Sequence, residues 1–175
     1  MPGYIIHLAV GKIYLQHNKV EDIQRFEKGI IAPDRVTDKK KSHYGPYSSE
    51  PGLSKYLQEN GCSSSYEEGY FLHLATDYLF YNKFLTNWDV AIYEDYDKLN
   101  AALIQRYNIK VPEEIEETVQ FEEGCPTILK LEELCSFINT VGKINFKQIT
   151  KKSENVQEQI EQELKEGGRR NEDTR

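Results

Sequence analysis

Cysteine is scarce in this chain, and the three present, Cys62, Cys125 and Cys135, are odd in number and form no CxxC pair. That pattern excludes a disulfide framework and a thiolate zinc site, and it makes a reducing cytoplasm the expected compartment. No stretch approaches the roughly 20 consecutive apolar residues needed to cross a bilayer, so stable membrane insertion is not expected. The opening "MPGYIIHLAVGKIYLQHN" is broken by His7 and Lys12 and has no basic leader, so it does not read as a targeting segment. Cations are also in deficit: 22 lysines and arginines stand against 29 acidic residues, for a net charge of −7. A surface of that sign excludes sequence-independent binding to duplex nucleic acid, which relies on lysine and arginine displacing counterions. Internal repeats and sustained alternation at period two are missing as well, which leaves little room for strands.

What remains is a chain of 175 residues with 38% hydrophobic content, enough for one domain with a real core. Apolar residues recur at helical spacing. Ile6, Val10, Ile13 and Tyr14 form a stripe on a first helix, and a short second helix over residues 19–28 is expected to stop at Gly29. Ser64 with Glu67, or Ser65 with Glu68, has capping-box spacing ahead of an apolar helix that runs to Leu85 and should be central. Leu99, Ala102, Leu103 and Tyr107 make another amphipathic face, "LKLEELCSFINTV" a further helix, and Val156, Ile160 and Leu164 a narrow stripe on the last. The expectation is a single all-α domain of five to seven helices over residues 1–166, with a disordered tail over 167–175. Between Gly29 and Gly52, three prolines and the glycines interrupt the pattern, which predicts a long irregular loop over about residues 29–52. Loops of that length inside compact domains usually serve a site.

The chemistry concentrates around "GYFLHLATDYLFY", residues 69–81, where His73 and Asp77 lie four residues apart on one face of a buried helix. Asp34, after Pro33, and His43, before Gly45 and Pro46, sit in the expected loop. A buried carboxylate is costly unless paired or coordinated, and two close together repel unless a cation lies between them. Two imidazoles and two carboxylates suit Zn²⁺, with Mn²⁺ or Fe²⁺ as alternatives. The run "DKKKSH" sets Lys39, Lys40 and Lys41 near His43, where Lys40 and Lys41 are candidates to draw in a phosphate group. His17 reads as exposed, and the acidic stretch "VPEEIEETVQFEEG" as a solvated connection. The aromatics Tyr78, Phe80, Tyr81, Phe84 and Trp88 read as core packing, or as the lining of a pocket mouth.

The order of these motifs, with His7 near the start, "GIIAPD" ending in Asp34, "KSHYG" with His43 and "GYFLHLATD" with His73 and Asp77, resembles the bacterial zinc-dependent phospholipase C family. That family is similar in fold to the single-strand-specific zinc nucleases, and the likeness extends over roughly residues 1–90. The resemblance implies an all-helical fold in which Asp34, His43, His73 and Asp77 bind one metal and His7 serves a second position bridged through Asp77. The family's third metal draws on two further histidines and a glutamate, and no histidine follows His73 here. A reduced site holding one ion, with a second as the further implication, is therefore expected. Such a centre would serve a metal-dependent hydrolase, foremost a phosphoesterase favouring phosphodiesters, with a small phosphate-containing substrate and Asp34 as proton acceptor. The competing expectation is a non-catalytic helical protein in which the same residues form a structural metal site or a hydrogen-bonded cluster.

Overall fold

The computed structural model describes residues 3–150 and 155–172. Among these residues it is entirely helical, with α1 (Tyr4–His17), α2 (Ile23–Arg35), α3 (Lys39–Ser42), α4 (Leu53–Asn60), α5 (Ser65–Leu79), α6 (Ile92–Tyr107), α7 (Leu131–Gly142), α8 (Phe146–Thr150) and α9 (Val156–Glu172). A π-helical turn, Phe80–Phe84, continues α5, and a 3₁₀ turn, Glu113–Ile115, lies in the acidic connection after α6. The helices beyond the expected five to seven are short ones such as α3 and α8, too brief to show a 3.6-residue period. Among the described residues no helix is long and apolar enough to cross a membrane.

Helix α1 is buried nearly all round, from Ile5 to Tyr14, because α2, α5, α6 and α7 all pack against it. It shares the centre with α5, which starts where the capping signal placed it. Ser64 Oγ accepts from the Glu67 amide at 3.2 Å, and the Glu67 carboxylate accepts from the Ser64 amide at 3.0 Å. Glu68 takes no part in capping; it is buried and accepts the hydroxyl proton of Tyr14 on α1. At the C-terminal end, α9 packs on α7, α8 and α4, with Val156 and Ile160 buried. Its backbone remains helical to Glu172, so the first part of the segment 167–175 expected as a tail is ordered helix, and residues 173–175 lie outside the described residues. On α6 the fully buried Asp95 accepts from the amides of Thr127 and Ile128 at 2.7 Å and Leu129 at 2.8 Å, which clips the acidic connection to the helix.

The loop expected over residues 29–52 is corrected in its first part. Helix α2 does not stop at Gly29 but continues through Pro33 to Arg35, and Asp34 belongs to its last turn. Proline inside a helix removes one backbone hydrogen bond. Packing wins here, since Phe26, Ile30 and Ile31 are buried to within 1% of complete. The reason Gly29 is glycine is spatial. A Cβ on Gly29 would stand 2.1 Å from the carbonyl oxygen of Tyr66, and one on Gly69 would stand 2.1 Å from that of Phe26. The two glycines let α2 and α5 touch backbone to backbone, in the most extensive helix pairing of the fold. We predict that Gly29→Ala or Gly69→Ala lowers unfolding free energy by about 2–3 kcal/mol, the upper range for overpacking, because the obstructing atoms are main chain. Urea denaturation checks this, and unchanged midpoints would contradict it.

Candidate metal centre

The α2–α5 contact brings the Ile30 carbonyl to 2.7 Å from His73 Nδ1. A carbonyl can only accept, so Nδ1 carries the hydrogen and Nε2 is turned the other way. There it meets Asp34 Oδ1 at 3.6 Å and Asp77 Oδ2 at 3.3 Å. His43, at the C-terminal end of α3, completes the group: its Nε2 is 2.9 Å from Asp77 Oδ2 and 3.6 Å from Asp34 Oδ1. Its other nitrogen, Nδ1, lies 2.9 Å from Ser42 Oγ, and its carbonyl accepts the Gly52 amide at 2.9 Å, which closes the segment 43–52 onto itself. The Ser42 carbonyl in turn accepts the hydroxyl of Tyr70 on α5. Each imidazole is thus oriented by a partner on its far nitrogen, the usual device for aiming a histidine at a metal.

Asp34, His43, His73 and Asp77 each offer one ligand atom, and the four atoms lie within 4.8 Å of one another, all in buried residues. Tetrahedral zinc with bonds near 2.0–2.1 Å would separate its donor atoms by about 3.3–3.4 Å. The four nitrogen–oxygen separations here run from 2.9 to 3.6 Å and bracket that spacing. The donors satisfy one another only in part: His43 pairs with Asp77, but His73 Nε2 and Asp34 Oδ2 are buried without a hydrogen-bond partner. His7 stands outside this set of four. Its ring stacks on His73 with centroids 3.7 Å apart, and its Nε2 is 2.9 Å from Asp77 Oδ1, yet neither ring nitrogen makes an aligned hydrogen bond. It therefore contacts the outer oxygen of the shared carboxylate, on the side away from the group.

Electrostatics reinforce the geometry. Burial by itself would lower the pKa of His73, but the charges of Asp34 and Asp77 overcome it and push the value up to about 10. Burial would raise Asp77, and the positive His73 and the hydrogen bond from His43 hold it well below the usual carboxylate range. Asp34 is depressed in the same sense, mainly by His73 against the penalty of burial. His7 moves down, first through burial and then through the charge on His73. The cluster without metal thus holds an imidazolium between two carboxylates, beside a neutral imidazole.

Lys39 extends the site outward. Its Nζ donates to the Asp34 carbonyl at 2.6 Å and lies 3.5 Å from Asp34 Oδ1. The same residue lines a cleft of about 700 Å³ with Tyr47, Asn82, Trp88 and Tyr93. Lys40 and Lys41, the lysines expected at a phosphate, are exposed and do not line this cleft. In one helical turn, consecutive residues point about 100° apart, so only one of the three lysines can face Asp34. Tyr81 and Trp88 are at the cleft, whereas Phe80 is core and Phe84 packs on Phe137. Nothing in the sequence pattern flagged Lys39 above its neighbours, and Ser42 had only its adjacency to His43. His17 is exposed, as expected. No family model, curated protein or solved structure matches the chain.

These shifts set a pH dependence. His73 is raised from an ordinary 6.5 to about 10, so its contribution to metal-free stability is complete below 6.5 and is lost as pH climbs toward 10. Asp34 and Asp77 lie below their ordinary 3.8, so their contributions hold above that value and disappear as pH falls further. Thermal melts of the metal-free protein should therefore show Tm declining above pH 6.5, with His73→Gln flattening the decline. A Tm that rises through this range would contradict the assignment.

Proposed function

We propose that this protein is a metal-dependent phosphoesterase, favouring phosphodiesters, in which Asp34, His43, His73 and Asp77 hold one divalent ion. The observation that carries the reading is the convergence of four buried donors, all nitrogen and oxygen, next to Lys39, which contacts Asp34 and also lines the cleft. Zinc suits the spacing and ligand set, and manganese or iron suits the carboxylates. An ion bound there would supply Lewis acidity toward a phosphoryl oxygen and acidify bound water. The protein's own residues do the rest. Asp34, depressed and hence ionised at neutral pH, keeps its Oδ2 without a partner, so it can accept a proton from the attacking nucleophile. Lys39 fixes the Asp34 backbone and puts an ammonium where an anionic substrate would enter. The order of His7, Asp34, His43, His73 and Asp77 along the chain, similar to that of zinc-dependent phospholipases C, supports the same class. In this reading His7 tunes the shared Asp77 carboxylate, and it is also the residue any second ion would use.

One observation favours a structural metal instead: four protein donors complete a tetrahedral shell by themselves, as structural zinc sites do. Two measurements separate the readings. Elemental analysis after supplementation with Zn²⁺ or Mn²⁺ should find about one ion per chain in the wild type and none in His73→Ala or Asp77→Ala, since each removes a ligand. The loaded protein should hydrolyse bis(4-nitrophenyl) phosphate, with kcat reduced about 100-fold in Asp34→Asn, the scale of a lost general base. A protein that binds metal tightly yet turns over neither phosphodiester nor phosphomonoester has a structural centre.

A further inference from the structure

Buried tyrosine hydroxyls ordinarily find a partner. In this fold Tyr14 donates to Glu68, Tyr56 to the Glu67 carbonyl, Tyr70 to the Ser42 carbonyl and Tyr107 to Asn139. Tyr96 on α6 breaks the pattern. The residue is 6% exposed, and its hydroxyl is fully buried with no hydrogen-bond partner, the one such tyrosine among the described residues.

Its surroundings indicate what it faces. The ring rests beneath the head of α1, where a Cβ built on Gly3 would lie 3.5 Å from Tyr96 Cβ and Cγ, one helical turn ahead of His7. On its other side it lies 6.3 Å from the ring of Phe80, which follows Asp77 by three residues at the end of α5. Tyr93, one turn earlier on α6, is 6.0 Å away and lines the cleft. Tyr96 therefore packs against the start of the helix that carries His7 and the end of the helix that carries Asp77. Beyond burial itself, Asp77 is the strongest charge acting on its hydroxyl, and Asp34 contributes too; both keep the group protonated. A neutral donor that senses both carboxylates yet hydrogen-bonds neither leaves a place for an acceptor that the chain itself does not provide.

We infer that the Tyr96 hydroxyl is the protein's hydrogen-bond donor to a phosphoryl oxygen of a ligand bound at the centre. This role rests on the proposed metal-dependent reading and adds a substrate-contacting residue to it. A donor in place before the ligand arrives costs no reorganisation when negative charge builds on that oxygen. Together with Lys39, it would present a phosphate with an ammonium and a hydroxyl from two separate elements, α3 and α6.

The test compares wild type with Tyr96→Phe, which keeps the ring and its packing, using the zinc-loaded protein and inorganic phosphate as the probe in titration calorimetry. Metal stoichiometry and zinc affinity should be unchanged, while phosphate Kd rises by about tenfold or more, the cost of losing a hydrogen bond to a charged group. Equal phosphate affinity in the two proteins would overturn the inference and leave the metal-dependent reading intact. Loss of zinc by Tyr96→Phe would also overturn it, since the hydroxyl would then be a support for the ligands. A wild type that takes up no zinc would sink the reading and the inference together.

Discussion

Asp77 carries a negative charge where water does not reach, and the fold is arranged around keeping that charge in company. Three imidazoles, from α1, the end of α3 and α5 itself, lie within 3.3 Å of its two oxygens. An isolated carboxylate in such a place would cost several kcal/mol or be driven to protonate. The consequence reaches beyond the cluster, because two of the imidazoles are held from behind. The Ile30 carbonyl holds His73, Ser42 holds His43, and both supports depend on α2 and α3 lying tight against α5. The glycine pair between α2 and α5 belongs to the same account. Without the close approach it allows, the Ile30 carbonyl would stand too far from His73 to set its orientation.

The two readings of the centre differ in what a cation would replace. In the metal-free cluster the positive charge is a proton on His73, shared electrostatically by two carboxylates. A divalent ion in the same space takes over that role and leaves the ligands deprotonated. Its fit comes from the donor spacing. Lys39 bridging Asp34 to the cleft and the unpartnered Tyr96 hydroxyl are features that a staple between α2 and α5 does not require.

The all-helical character, the positions of α5, α6, α7 and α9, and the residues of the cluster are legible in the amino-acid sequence, for specific reasons. A capping box, long apolar periods and an HxxxD spacing each express local geometry that survives in one dimension. Asp34 shows the limit. Its neighbourhood of glycine and proline reads as loop, and only the burial of Ile30 and Ile31 against the core keeps the helix going past Gly29. The three consecutive lysines show another limit. Which of them faces the site depends on the direction in which one short turn of helix is pointed, and composition carries no trace of that direction. Tyr96 is the extreme case, a residue with no motif around it, whose significance lies entirely in a hydroxyl left alone between distant elements.

The π-helical turn over Phe80–Phe84 has a meaning of its own. A π turn holds one residue more than an α turn, so it marks a single-residue expansion within a helix that would otherwise continue straight from Asp77. The expansion advances the angular phase of everything after it by about 100°. In this protein the displaced residues include Tyr81 and Asn82, which line the cleft, and Asn82 Nδ2 donates to the Ser49 carbonyl at 2.9 Å across the mouth. Removing one residue from that turn would restore an ordinary helical phase and swing both side chains off the cleft, leaving the four donors upstream where they are. The segment that sets Tyr81 and Asn82 at the cleft thus lies downstream of all four donors, and its angular phase is fixed independently of theirs.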